Sequence, residues 1–148
     1  MDLKTISKLA YPYYEKRDID TNDKNKYLRV IDFARRRVNT LSEMVDESQN
    51  FYKVPNISEE DGAYLKGNKS QELIKTIHEE LIEKVDCNGE QFKVIILNEG
   101  ANLNLQGKDL FFPVRIALFG YPKGPDIPII FSILGRESVL SRLYRVIR

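Results

Sequence analysis

Between Gly107 and Leu143 the chain reads GKDLFFPVRIALFGYPKGPDIPIIFSILGRESVLSRL, two apolar runs separated by a turn dense in proline and glycine. The first run, Pro113 to Gly120, carries one charged residue, Arg115, among side chains that belong in a core. The turn Tyr121-Pro122-Lys123-Gly124-Pro125-Asp126 cannot continue that helix, because proline lacks the amide hydrogen and glycine loses most entropy on ordering. A second apolar helix follows, and Gly135 stands where a glycine C-terminal cap belongs. Glu137 then lies near the next helix N-terminus, where a carboxylate meets the positive end of the macrodipole. The stretch predicts three helices, from Lys108 to Phe119, from Asp126 to Leu134 and from Arg136 onward.

At 148 residues the chain is long enough to bury a core without disulfides or metal. Its one cysteine, Cys87, and one histidine, His78, exclude a self-contained zinc site, and nine residues of helix between them set them on different sides. A reducing, cytoplasmic setting is expected. The apolar stretches are short and interrupted by charge, and MDLKTISKLAYPYY lacks the apolar centre of a signal peptide, so no membrane association is expected. Lys and Arg number 23 against 22 Asp and Glu, so bulk charge does not announce a nucleic acid and any RNA contact must come from local clusters.

Upstream, Leu3, Ile6, Leu9 and Ala10 have helical spacing, with Pro12 expected to end or bend that helix. Asp18 to Asn25 reads as polar linker. Leu28, Ile31, Phe33 and Ala34 lead into a basic helix end, Arg35-Arg36-Arg37, and Thr40-Leu41-Ser42-Glu43 has the form of a capping box. Val54-Pro55-Asn56-Ile57-Ser58 breaks the run and marks a boundary between two helical subdomains, 1–56 and 57–148. Ser70 is read as the cap of an amphipathic helix burying Leu73, Ile74, Ile77, Leu81, Ile82 and Val85. Phe92, Val94, Ile95, Ile96 and Leu97 have strand-like β-branched content, but no alternating partner strand exists, so helix is preferred, with Gly100 as its stop. The pattern is all-α.

The C-terminal stretch closely resembles the C-terminal end of bacterial-type glutamyl-tRNA synthetases, class I enzymes that attach glutamate to its tRNA. The family's Phe-x-Pro-x-Arg-x-Ala-x-x-Gly segment, its Gly-Pro turn and its Leu-Gly-Lys/Arg-Glu junction are matched by Phe111 or Phe112, Pro113, Arg115, Ala117, Gly120, Gly124, Pro125, Leu134, Gly135, Arg136 and Glu137. The resemblance implies an α-helix cage of two subdomains that binds the anticodon loop of a glutamate tRNA, with Arg115, Gly124, Pro125 and Ile127 at positions that contact the anticodon. The family's Arg-x-Arg-x-x-x-Thr-Leu segment falls on Arg35, Arg37, Thr40 and Leu41, which puts Arg37 where discriminating synthetases read the third anticodon base. It implies further that ATP and magnesium are needed only by a catalytic half absent from this chain, that this half is a partner, and that the protein is a monomer.

The residues themselves are compatible with that role. Arg115 offers a forked donor beside a rigid turn, Gly124 and Pro125 allow close backbone approach, and Ile127 offers an apolar surface for a base. Arg35 and Arg36 are candidate phosphate contacts, as are Arg142 and Arg145, which with Arg148 recur every three residues on the last helix. Each has an ordinary alternative as a solvated cation that offsets a helix C-terminus. Tyr11, Tyr13 and Tyr14 can stack on bases but read better as a packing anchor. No phosphate-binding glycine loop is present, the pairs Glu59-Glu60 and Glu79-Glu80 suit solvated helix faces, and no catalytic or metal-binding residue is assigned. The alternative to anticodon recognition is a helical scaffold or protein-interaction module that keeps this fold without binding RNA.

Overall fold

The computed structural model of this protein describes residues 1–147, and every regular element among them is an α-helix, as the sequence pattern predicts. The chain divides into two compact units, the first Met1–Lys53 and the second from Val54 onward. The division falls slightly before the sequence boundary at residue 56, because Pro55 packs inside the second unit: a Cβ placed on Gly120 would collide with the Pro55 ring.

The first unit holds α1 (Leu3–Lys16), α2 (Lys24–Ala34) and α3 (Leu41–Tyr52), each packed on the other two. Pro12 does not end α1. It lies on the exposed face, so the helix carries on at the cost of one surface hydrogen bond, and the following turn is held by Tyr14. That side chain is fully buried, its hydroxyl bonds to Ser48 Oγ at 2.7 Å and to the Met44 carbonyl at 3.2 Å, and its ring meets Tyr27 edge-on at 5.3 Å. Tyr11 and Tyr13 point away and stay exposed, so only one of the three tyrosines anchors the unit.

The helix containing Ile31 ends at Ala34, and Arg35, Arg36 and Arg37 form a turn beyond it instead of its last turn. Thr40 caps α3, accepting from the Glu43 amide at 3.2 Å, but the capping box is incomplete: Glu43 turns its carboxylate to the Thr40 hydroxyl.

The second unit holds α4 (Glu59–Leu65), α5 (Asn68–Glu83), α6 (Gly89–Asn102), α7 (Lys108–Phe119), α8 (Ile127–Leu134) and α9 (Arg136–Val146). Its core gathers Leu73, Ile74, Ile77 and Leu81 from α5, Phe92 and Ile96 from α6, Ile116 and Leu118 from α7, and Val139 and Leu143 from α9, all nearly free of solvent. The face predicted for α5 is thus the buried one, except that Ile82 and Val85 stay exposed. Ser70 is not the cap. The helix begins three residues earlier than such a cap requires, after Gly67, with no side-chain cap.

Residues 92–97 are helical, and a complete capping box opens α6, where Asn88 and Gln91 satisfy each other's backbone amides at 2.8 Å. Gly100 does not stop this helix. It is buried inside it because a Cβ there would run into the Leu110 side chain of α7, so the glycine serves close packing. Gly135 does terminate α8, with φ 82°, and Arg136 turns back to donate to the carbonyls of Leu81, Ile82 and Lys84 at 2.9–3.0 Å, closing the C-terminus of α5. No helix among the described residues is long and apolar enough to cross a membrane. No group of His, Cys, Asp or Glu among them could hold a metal ion.

Candidate nucleic-acid interface

Arg115 occupies the outer edge of α7, half-buried, one turn before the helix ends at Gly120. Gly120 adopts the left-handed conformation, φ 94°, that releases the chain into the turn. The turn then folds back over α7. Gly124, φ 136°, lies so close to the Phe119 ring that a Cβ would sit 3.0 Å from Cδ2, and this is the approach that glycine permits. Arg115 Nη1 donates to the Gly124 carbonyl at 3.3 Å and to the Pro125 carbonyl at 2.5 Å. Both bonds use one nitrogen, so Nε and Nη2 make no hydrogen bond among the described residues, and the side chain lines the groove beside the turn.

That groove encloses about 430 Å³. One wall is Phe111 and Arg115 of α7, a second is Asp126, Ile127, Pro128 and Ile129 at the start of α8, and a third is Glu90 and Lys93 of α6. The third wall was not read from the sequence. It is brought in by Gly89, where a Cβ would strike the Pro128 carbonyl, so that only glycine lets the first turn of α6 lie against α8. The Asn88-x-x-Gln91 box locates the helix start in sequence, but its proximity to α8 is purely tertiary.

One of the predicted turn residues, Ile127, is placed differently from the expectation. Pro125 is buried, and Ile127 is 2% exposed, so it belongs to the core and cannot offer a broad apolar surface. Two residues further round the first turn of α8, Ile129 takes that surface instead, 40% exposed on the groove.

In the first unit, Arg37 is exposed at the end of its turn, pairs with Glu47 at 3.4 Å and sits 5.1 Å over the Phe33 ring. Arg35 and Arg36 share one carboxylate, Asp32, at 2.8 and 3.3 Å. Arg35 is the more enclosed and also donates to the Met1 carbonyl, while the Arg36 side chain is 71% exposed. Such exposed pairs are weak and exchange readily for another anion.

Arg142 does not fit a phosphate contact. It is 5% exposed and donates to the Leu118 carbonyl at 2.7 Å, and burial pushes its guanidinium down to about 10, still protonated near neutrality. Arg145 is exposed, and partial desolvation lowers it in the same direction. The third member of the stripe, Arg148, lies outside the described residues.

The regular elements of the described residues are helical throughout, with a groove beside a glycine-proline turn where Arg115 and Lys93 stand among the carboxylates of Glu90 and Asp126, and residues 5–147 match the anticodon binding domain family, to which this chain belongs. It is similar to the glutamate-tRNA ligase of Aquifex aeolicus (strain VF5), with 28% identity over 148 residues that cover 99% of this chain and 31% of that protein. Its fold matches the crystal structure of a glutamate-tRNA ligase from Elizabethkingia meningosepticum CCUG26117 in complex with its amino acid, with TM-score 0.84 and 21% identity over 99% of this chain and 29% of that one. The glutamate-tRNA synthetase of Elizabethkingia anophelis gives TM-score 0.79 and 22% identity over 99% of this chain and 28% of that one. The chain therefore spans about a third of the length of the relatives it matches.

Proposed function

We propose that this chain reads the anticodon loop of a glutamate tRNA, as the anticodon-binding part of a glutamate-tRNA ligase. Family membership and the names of its relatives support this reading, and the observation that carries it is the Arg115 groove: a forked cation with unengaged N–H groups beside exposed Ile129 and half-buried Phe111. A splayed base needs an apolar face to lie on and donors or acceptors for its edge. Phe111 and Ile129 supply the face; Arg115 supplies donors, and Glu90 and Asp126 supply acceptors. Lys93 is the cation for the adjoining phosphate, Arg37 reads the third base from the first unit, and Arg36 and Arg145 meet phosphates in their own units.

Recognition of this kind makes and breaks no bond. ATP- and magnesium-dependent attachment of glutamate belongs to the rest of such an enzyme, which acts here as the partner, in a cytoplasmic monomer. The test is a titration of the protein with two labelled anticodon stem-loops that carry a glutamate and a glutamine anticodon and differ only at the third base, at fixed salt. Preference for the glutamate loop is expected. Equal binding of both loops and of an unrelated hairpin would overturn the proposal.

A further inference from the structure

One arginine, Arg115, holds the turn from Gly120 to Asp126 and lines the groove, and a second holds the end of α7 that leads into that turn. The other is Arg142, on α9, whose Nη1 donates to the Leu118 carbonyl from 24 residues away. In an uninterrupted helix that carbonyl would accept from the amide four residues on, but residue 122 is proline and has no amide hydrogen. A buried carbonyl at this point needs another donor, and the buried guanidinium of Arg142 supplies it. The residue after Leu118 is Phe119, whose ring is the floor on which Gly124 rests. Gly124 and Pro125 in turn present the carbonyls that orient Arg115.

We infer that Arg142 is a positioning residue for base reading: by holding the Leu118 carbonyl it sets Phe119 beneath Gly124, and so fixes the turn that aims Arg115 into the groove. This rests on the anticodon reading proposed above. It replaces the phosphate contact that the spacing of Arg142 and Arg145 suggests from sequence, and the two roles differ in salt dependence. A phosphate contact carries a released counterion, about 0.7 in the slope of log affinity against log salt for a single strand, and acts alike on every RNA. A positioning residue leaves that slope alone and lowers the preference between RNAs.

The experiment measures affinity for the two stem-loops across a salt series with wild type, Arg142→Met, Arg142→Lys and Phe119→Leu, with circular dichroism as the check on folding. A several-fold fall in the glutamate-to-glutamine ratio at unchanged slope is expected for Arg142→Met and Phe119→Leu, with partial recovery in Arg142→Lys, which keeps a donor for Leu118. Should Arg142→Met fail to fold, Arg142→Lys and Phe119→Leu decide alone: a lowered ratio at unchanged slope supports the inference, and an undiminished ratio sinks it. A flatter salt slope with an undiminished ratio would make Arg142 a phosphate contact. If wild type itself shows no preference between the loops, the anticodon reading fails and this inference with it. A wild type that discriminates beside variants that discriminate equally well overturns only the role of Arg142.

Discussion

Arg115 and Pro125 are ten residues apart in sequence and joined across the turn, the arginine donating through Nη1 to the proline carbonyl. The guanidinium is therefore oriented by the same loop whose shape it maintains. Arg115→Ala is expected to weaken the glutamate stem-loop by about 1–3 kcal/mol, the range for a bidentate contact to a base. Lys75→Ala, on the exposed face of α5, is the control, and an equal loss there would mean that binding is nonspecific electrostatics. Stem-loop titration of both variants at fixed salt measures the difference.

Arg37 rests on the Phe33 ring and pairs loosely with Glu47, so it can turn to a base without disturbing the core. Arg37→Gln should narrow the preference between loops that differ at the third anticodon base, with an unchanged melting temperature. Uniform weakening of both loops would instead assign Arg37 to a phosphate.

The glycines make a paired prediction about stability. Gly89→Ala drives a Cβ into the Pro128 carbonyl, a backbone atom that cannot rotate away, and should cost about 1–3 kcal/mol as overpacking does. Because the same contact brings Lys93 and Glu90 to the groove, binding should fall with it. Gly62→Ala, in the middle of α4 with only Ile57 Cγ2 at 4.0 Å, should stabilise by up to about 1 kcal/mol through helix propensity. Thermal melts of the two variants beside wild type check both signs.

The buried Tyr14 and Tyr27 of the first unit, with half-buried Tyr52, predict an alkaline transition. Burial pushes Tyr14 from 10.0 up to about 12, and Tyr27 and Tyr52 are raised further, by burial first and then by the neighbouring Tyr14. A folded pKa above the unfolded one means that the stabilisation is complete below pH 10 and disappears as pH rises toward 12, since the unfolded chain loses protons that the folded one keeps. Unfolding of the first unit should therefore accompany tyrosinate absorbance in this window. Tyr14→Phe should shrink the pH dependence, while costing about 1 kcal/mol near neutrality from the lost hydroxyl bonds. A stability curve flat from pH 9 to 12 would contradict the assignment.

The helices were legible because their signals are local. Apolar spacing within one turn placed α5 and α7, Gly135 ended α8, and Gly124 and Pro125 marked a turn, since each statement depends only on neighbours in the chain. The failures were local rules overridden from a distance. Pro12 was carried through α1 where Tyr14 is locked onto Ser48, and Gly100 was retained inside α6 to make room for Leu110. The site divides along the same line. That Arg115 borders the turn is visible in sequence, whereas the α6 wall, the burial of Ile127 and the inward direction of Arg142 are not. An arginine looks the same in sequence whether it faces water or a carbonyl, and the carbonyls that claim Arg142 and Arg136 lie 24 to 55 residues away. Helical periodicity is a property of the segment, but the partner of a guanidinium is chosen by whichever orphaned carbonyl the packed helices bring within reach.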